Sequence, residues 1–125
     1  QVAVLVNFGG DLRANRAPQQ KSGWAVGVES AVGEQAPASA VTLAQGALTT
    51  SGDARRFLLH NGVRYSHVLH PRTGWPVQHA PRSVTVQGAT CVETGVLSTL
   101  AMLKGKEAEA FLAAQGVRFW VQRHG

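Results

Sequence analysis

RSVTVQGATCVETGVLSTLAMLK, residues 82–104, decides the fold class, because its hydrophobic pattern changes period midway. Residues 82–88 alternate apolar and polar side chains, which is typical of a half-buried strand. From Thr90 onward apolar residues recur every three or four positions, which predicts a helix over residues 90–104. Thr90 is the expected N-cap, and Glu93 completes a capping box. The helix is expected to bury one apolar stripe, made of Val92, Val96, Leu97, Leu100 and Leu103.

The segments on either side extend this pattern to the whole chain. A second helix is predicted over residues 106–116 and a last strand over residues 117–122. Asn61-Gly62 between two alternating runs predicts a β-hairpin, and residues 12–22 are predicted to form an exposed loop. Further strands are predicted at residues 2–8, which we expect to be buried, and at residues 24–29 and 40–45. The prediction is an α+β fold, an antiparallel sheet with two late helices in a single domain over residues 1–125.

Composition limits the class of protein. Twelve Lys and Arg against seven Asp and Glu give a net charge of +5, and the hydrophobic fraction is 44%. The basic residues are scattered and match no RNA-binding signature, so we expect no nucleic-acid partner. No stretch is apolar enough for a membrane span. Cys91 is the single cysteine, which excludes an intrachain disulfide. Because Gln1 leads directly into an apolar run, we expect residues 1–125 to be a processed product or the later part of a longer protein, and thus either a whole domain or a fragment of a larger one.

Two aspartates follow glycine directly and mark candidate binding turns. Asp11 follows Gly9-Gly10, and Asp53 follows Gly52. A glycine beside a carboxylate at a strand end lets the backbone approach a ligand closely. The alternative is an ordinary turn or helix cap in which the aspartate binds its own backbone.

His67 and His70 are three residues apart, and we do not expect them to share a metal ion. On one extended strand an odd separation places the two side chains on opposite faces. Pro71 is expected to end the strand near His70, since proline restricts the residue before it. Downstream, the side chains of Arg72 and Thr73 with the N–H of Gly74 form a possible anion-binding corner. A histidine at a strand end can equally be structural.

Hydroxyl side chains recur in the predicted long helix, at Thr94, Ser98 and Thr99. N–H groups and the positive end of the helix dipole favour a phosphate there. Hydroxyls in the first turns are also ordinary capping groups. Both interpretations stay open.

Ordered motifs in this chain resemble the C-terminal part of the ApbE family, the FAD:protein FMN transferases. They are VNFGGDLRA, ALTTSGDARRF, NGVRYSHVLHPRTGWPV, SVTV and GVLSTLAML. The resemblance implies a T-fold-like α+β architecture and the use of FAD and a magnesium ion. It also implies transfer of FMN to a threonine of a partner flavoprotein with release of AMP. Family members are commonly bacterial lipoproteins of the cell envelope or periplasm.

The resemblance also implies roles for individual residues. His67 matches the candidate base that activates the acceptor threonine, and Thr99 matches a magnesium-binding threonine. The residues that match flavin-binding turns are Gly9, Gly10, Asp11, Thr50, Ser51, Gly52 and Asp53, together with Arg72, Thr73 and Gly74 of the PRTG loop.

Two positions depart from the family pattern, because Gly95 and His70 stand where the family has aspartates. Magnesium prefers carboxylate and phosphate oxygens, so Thr99 with glycine one turn earlier is a poor metal site. Three hypotheses follow: an FMN transferase, a non-catalytic relative that binds flavin or a partner, and an interaction domain with a basic surface.

Overall fold

The computed structural model describes residues 1–28, 39–52 and 56–123. A five-stranded antiparallel sheet forms the centre, with strand order β1-β2-β5-β8-β9. Its strands are β1 (Leu5–Phe8), β2 (Asp11–Ala14), β5 (Gly46–Gly52), β8 (Ser83–Gly88) and β9 (Arg118–Gln122). Two separate hairpins join β3 (Trp24–Val28) to β4 (Ser39–Leu43) and β6 (Phe57–His60) to β7 (Val63–Ser66). The helices are α1 (Cys91–Leu103) and α2 (Ala108–Ala114), linked by a 3₁₀ turn at Gly105–Glu107. The predicted α+β class is confirmed.

Hydrophobic side chains cover both faces of the sheet. Val86 of β8 pairs with Thr49 of β5, so these two side chains lie on the same face of the sheet. Leu48 precedes Thr49 in β5 and therefore lies on the opposite face. The hairpin β3–β4 covers the first face, and the helices cover the second. The first cluster contains Leu12, Ala14, Val26, Val28, Val41, Leu43 and Leu48. The second contains Val84, Val86, Ala101, Met102, Ala108 and Leu112.

Strand β5 was not predicted from the sequence, although it is the central strand. It pairs with β2 on one side and β8 on the other. Gly46 to Thr49 are buried, and both faces of the strand are covered, so small side chains fit the available space. The prediction of a loop over residues 12–22 is wrong at its start, because β2 alternates exposed Asp11 and Arg13 with buried Leu12 and Ala14.

Helix α1 begins where the sequence predicted but buries a different face. Thr90 is the N-cap, and its Oγ1 accepts the N–H of Glu93 at 3.2 Å. The predicted apolar stripe is wrong at three of its five positions, since Val92, Val96 and Leu100 are 78%, 53% and 40% exposed, while Leu97 packs against the second hydrophobic cluster. The buried face consists of Thr94, Ser98, Ala101 and Met102.

The hydroxyls on this buried face are satisfied by the helix itself. Thr94 Oγ1 donates to the carbonyl of Thr90 at 3.0 Å, and Ser98 Oγ donates to the carbonyl of Gly95 at 3.1 Å. A buried hydroxyl with a hydrogen-bond partner avoids most of its desolvation cost. These two residues can therefore face the sheet, while larger aliphatic residues face outward.

The first strand lies at the edge of the sheet and is not buried, contrary to the prediction. β1 starts at Leu5 and pairs with β2 alone. Phe8 is 85% exposed and Val6 is 51% exposed. Among the residues of the described ranges, no helix is long and apolar enough to cross a membrane.

The hairpin β6–β7 has the predicted Asn-Gly turn. Asn61 and Gly62 both have positive φ, 50° and 75°, as a two-residue hairpin turn of the primed type requires. β7 ends at Ser66, so His67 and His70 both lie beyond the strand. Leu69 and Pro76 form an isolated bridge that closes the loop containing His70.

Arg123 fastens the C-terminal end of the sheet to α2 and its neighbouring turns. Its Nε and Nη2 donate to the two carboxylate oxygens of Glu109, at 2.7 and 2.5 Å. Its Nη1 and Nη2 also donate to the carbonyls of His79 and Gly105, at 3.2 and 3.1 Å. The hydrogen bond from Arg123 holds the pKa of the Glu109 carboxyl below its usual range.

Candidate functional site

A cavity of about 830 Å³ lies between the hairpin β3–β4 and the face of the sheet that this hairpin covers. This volume is within the range typical of small-molecule and cofactor sites. Its walls combine apolar side chains with hydroxyl, amide and glycine groups. They include Leu5, Asn7, Gly9, Gly10, Leu12, Val26, Leu48, Thr50, Ser51, Gly52, Ser83 and Gln122, with Arg56 and His67. The cavity therefore brings together six of the predicted site residues: Gly9, Gly10, Thr50, Ser51, Gly52 and His67.

The Gly9-Gly10 turn forms one wall. Both residues have positive φ, +64° and +100°, and no atom lies within 4 Å of the position that a Cβ would occupy. The N–H of Gly10 donates to Asn7 Oδ1 at 2.9 Å. Glycine is thus required here by backbone conformation, and the space beside it stays open to the cavity. Asn7 was not predicted as a site residue, although an asparagine shortly before a turn is a recognisable turn former.

The end of β5 forms a second wall. A Cβ at Gly52 would lie 2.6 Å from the carbonyl oxygen of Arg82, so only glycine fits between these strands. Thr50 Oγ1 lies 2.8 Å from Thr85 Oγ1 across the β5–β8 ladder. Successive strand residues face opposite sides, so the Thr50 side chain faces the cavity side and the Ser51 side chain faces α1.

His67 is an exposed residue in the lining of the same cavity. Its Nδ1 lies 3.0 Å from the carbonyl oxygen of Arg56. A carbonyl only accepts hydrogen bonds, so Nδ1 carries the hydrogen and Nε2 of the neutral ring keeps its lone pair. This arrangement equips Nε2 to accept a proton. Sequence reasoning missed Arg56, because a main-chain carbonyl eleven residues away has no side-chain signature.

Of the two aspartates that follow glycine, Asp11 is not among the cavity-lining residues. Asp11 is exposed at the start of β2. Asp53 lies outside the described residues.

The PRTG loop is not part of the cavity wall. The N–H groups of Thr73 and Gly74 donate to the carbonyl of His70, at 3.2 and 2.8 Å. Thr73 Oγ1 accepts the N–H of Trp75 at 3.2 Å. The Gly74 N–H that the sequence analysis assigned to an anion is therefore used inside the turn, and Arg72 remains exposed beside it.

His70 has a structural contact that accounts for its place in this loop. Its Nδ1 accepts the N–H of Arg72 at 3.2 Å. An aspartate side chain makes the same bond, two residues ahead, in an Asx turn. The imidazole thus provides the acceptor that a carboxylate would provide, without the negative charge.

The predicted metal residue Thr99 belongs to a cluster of hydroxyls between β5 and α1. Ser51 Oγ lies 2.8 Å from Ser98 Oγ and 3.1 Å from Thr99 Oγ1. Gly95, one helical turn before Thr99, supplies no side-chain ligand. Within residues 1–28, 39–52 and 56–123, no three His, Cys, Asp or Glu side chains are grouped to hold a metal ion. Neutral hydroxyls without a carboxylate do not fit magnesium, which prefers charged oxygen ligands.

Two of the solved structures similar to this chain share its fold. The flavinyl transferase ApbE of Pseudomonas stutzeri superposes with a TM-score of 0.83 and 29% identity, over 99% of this chain and 39% of that one. The ApbE protein of Thermotoga maritima superposes with a TM-score of 0.81 and 30% identity, over 95% of this chain and 39% of that one. The antiparallel sheet with two helices is therefore the ApbE arrangement.

Curated relatives match over most of this chain. The FAD:protein FMN transferase of Haemophilus influenzae is 31% identical over 105 residues, which cover 82% of this chain and 30% of the relative. That of Treponema pallidum is 33% identical over 119 residues, which cover 88% of this chain and 33% of the relative. The chain thus spans about a third of the length of these relatives. The model of the ApbE family matches residues 2–120, and the chain belongs to the ApbE family.

Proposed function

We propose that this chain carries the flavin-binding turns and the general base of an FAD:protein FMN transferase. The reaction would move FMN from FAD to a threonine hydroxyl of a partner flavoprotein and release AMP. The observation that supports it most directly is His67, which lies in the wall of a cavity of about 830 Å³ with its Nε2 available. Relatives at about 30% identity are named for this activity.

In this proposal His67 Nε2 takes the proton of the acceptor hydroxyl. The threonine oxygen then attacks the phosphorus of the FMN half of FAD, the P–O bond to the AMP half breaks, and AMP leaves with the bridging oxygen. The hydrogen bond from Nδ1 to the Arg56 carbonyl keeps the ring in the tautomer that can act as a base.

Phosphoryl transfer depends mainly on positioning and on neutralising charge. In the proposed complex, the open Gly9-Gly10 turn lets the backbone approach the flavin or its phosphate, and Thr50 and Ser83 offer hydroxyls elsewhere in the cavity lining. Arg56 is the guanidinium among the lining residues and would offset phosphate charge. No step is assigned to magnesium, since the residues around Thr99 do not fit it.

The family resemblance also leads us to expect a place in the bacterial cell envelope or periplasm, as a lipoprotein. The curated relatives are proteins of bacteria. Fractionation of cells that express the full-length protein tests this expectation, and recovery in the cytoplasmic fraction alone would contradict it.

The test of activity is transfer by the full-length protein. It is incubated with FAD, an acceptor flavoprotein and either magnesium or a chelator. The expected products are an acceptor whose mass has increased by one FMN and an equal amount of AMP. FAD binding is measured in parallel by fluorescence quenching. Bound FAD without either product would overturn the proposed activity.

That last outcome is the prediction of a second candidate function, a flavin-binding protein without transfer activity. The hydroxyl cluster of Ser51, Ser98 and Thr99, with glycine at position 95, favours this alternative. Losing a charge-neutralising ion slows phosphoryl transfer strongly while leaving the ring-binding walls intact. The two functions therefore differ in AMP release and agree in FAD binding.

A further inference from the structure

The segment that contains His67 exposes several large apolar side chains. It is defined here as the His67 segment, residues 56–76, and comprises β6, β7 and the bridged loop that follows them. Leu58, Leu59 and Trp75 are 65%, 63% and 71% exposed. Phe57, Val63 and Leu69 are also exposed large hydrophobics. Phe57 and Leu59 lie on the face of the hairpin that carries Arg64, and Leu58 and Val63 lie on the other face. Single exposed apolar residues are normal, whereas neighbouring ones on one face are typical of an interaction site.

The same segment has only positive ionisable charge. It contains Arg56, Arg64 and Arg72 with three histidines, and it contains no Asp or Glu. The Arg64 guanidinium lies 3.6 Å from the centroid of the Phe57 ring, so a cation is held on the apolar surface itself. The surface is therefore both apolar and cationic, which suits a partner that is apolar and acidic.

The position of the segment connects this surface to the cavity. His67 follows β7 directly, and its Nδ1 bond to the Arg56 carbonyl closes the base of the hairpin. Val68, the next residue, packs against the helix-side hydrophobic cluster. Exposed side chains of β6 and β7 precede His67 in the chain, and those of the bridged loop follow it. A macromolecule that contacts His67 therefore lies beside residues of this segment.

We infer that the His67 segment is the docking surface for the acceptor flavoprotein, which binds through a segment with acidic and apolar side chains. This inference rests on the proposed function. Opposite charge steers the encounter and orients the partner. Large apolar side chains such as Trp75 and Leu59 supply the anchors, because a few buried aromatic and aliphatic groups carry most of the binding energy of an interface.

The test separates docking from transfer. The probe is a fluorescein-labelled peptide that alternates Asp or Glu with Leu or Val and contains no hydroxyl side chain. Its binding to the full-length protein is followed by fluorescence anisotropy. A matched peptide with Lys at every acidic position is the charge control, and phosphatidylglycerol vesicles test a membrane surface instead. We expect binding of the acidic peptide at least tenfold tighter than that of the basic peptide, and weaker binding as NaCl is raised.

Two substitutions give the site its control. Leu59→Glu places a negative charge on the His67 segment, whereas Val92→Glu places one on the exposed face of α1, where Val92 is 78% exposed. We expect Leu59→Glu to weaken peptide binding at least fivefold and to raise the KM for the acceptor with little change in kcat. Val92→Glu is expected to change both by less than twofold.

The outcomes distinguish this inference from the proposed function. Equal effects of the two variants, equal binding of the two peptides, or binding to vesicles alone would overturn the docking surface. So would a larger loss of thermal stability in Leu59→Glu than in Val92→Glu, since it would mean that another part of the full-length protein covers the segment. Peptide binding without any FMN transfer would instead overturn the transferase and leave the docking surface in place.

Discussion

His67 Nδ1 lies 3.0 Å from the main-chain carbonyl oxygen of Arg56, and this contact leaves Nε2 as the ring nitrogen that can accept a proton. The carbonyl belongs to the residue that precedes β6, while His67 follows β7. Closure of the hairpin and orientation of the imidazole therefore depend on the same hydrogen bond. Both hairpin strands must pair correctly for the base to face the cavity.

The first prediction concerns His67. Replacing His67 with Gln keeps a polar side chain of similar length but removes the base, so FMN transfer is expected to slow by about 10²–10⁴-fold. FAD affinity is expected to change by less than about threefold, because the cavity walls formed by the Gly9-Gly10 turn and the end of β5 remain. Mass spectrometry of the acceptor measures the first effect, and flavin fluorescence measures the second. Transfer at the normal rate would exclude His67 as the base.

The second prediction concerns the metal position. Apart from its chain neighbours and the backbone of its own helix, nothing lies within 4 Å of a Cβ built at Gly95, so Gly95→Asp can add a carboxylate one turn before Thr99. Magnesium affinity, measured by calorimetry in the presence of FAD, is expected to increase at least tenfold. Gly95→Ala is the matched control and should leave magnesium affinity unchanged. Equal affinities in the two variants would place the metal elsewhere.

The Gly95→Ala control carries its own prediction. Alanine in an open position of a helix restricts the unfolded chain more than glycine does. The free energy of unfolding is therefore expected to increase by about 0.5–1 kcal/mol. Urea denaturation measures this change, and a decrease would mean that the space at position 95 is filled in solution.

Gly52 gives the opposite prediction. A Cβ there would lie 2.6 Å from the Arg82 carbonyl and 2.9 Å from Ser83 Cβ. Gly52→Ala is expected to destabilise the protein by about 2 kcal/mol, because the β5–β8 pair must separate at the cavity wall. FAD affinity should fall together with the stability, whereas Gly95→Ala is expected to increase the stability. Unchanged stability and flavin binding would show that the strands separate without cost.

The last prediction uses the ion pair of Glu109 with Arg123. Because its hydrogen bond lowers the folded-state pKa of Glu109, the pair stabilises the protein above the pKa of the unfolded chain. This contribution is lost as pH falls through the lower, folded-state pKa. Both side chains are partly exposed, 44% and 36%, so Glu109→Gln should cost only about 0.5–1 kcal/mol at pH 7. Thermal melts from pH 7 to pH 3 should converge for the two proteins; a gap that persists would exclude this ionic origin.

Local signals in the sequence predicted the elements that depend on local contacts. Thr90 with Glu93 located the start of α1, and Asn61-Gly62 located the β6–β7 turn, because both features involve residues close in sequence. β5 was missed because GALTTSG consists largely of glycine and small hydroxyl residues and lacks both an alternating pattern and a continuous apolar run. The face of α1 was misassigned because Thr94 and Ser98 satisfy their hydroxyls within the helix, which hydrophobic periodicity does not reveal.

The candidate site shows the same division. The resemblance selected His67 and both glycine turns, and the fold brings Gly9, Gly10, Gly52 and His67 to one cavity. The Arg56 carbonyl and the turn bond of His70 depend on backbone positions that no residue pattern encodes. The PRTG loop lies outside the lining, and the N–H groups of Thr73 and Gly74 are used within the turn.

The position of β5 in the sheet has a kinetic consequence. Its residues pair with β2, more than thirty positions earlier in the chain, and with β8, more than thirty positions later. Such pairings close long loops before they gain contacts, and folds dominated by them reach the native state in milliseconds to seconds. The hairpins β3–β4 and β6–β7 need much shorter loops. We expect these two hairpins to form before the five-stranded sheet.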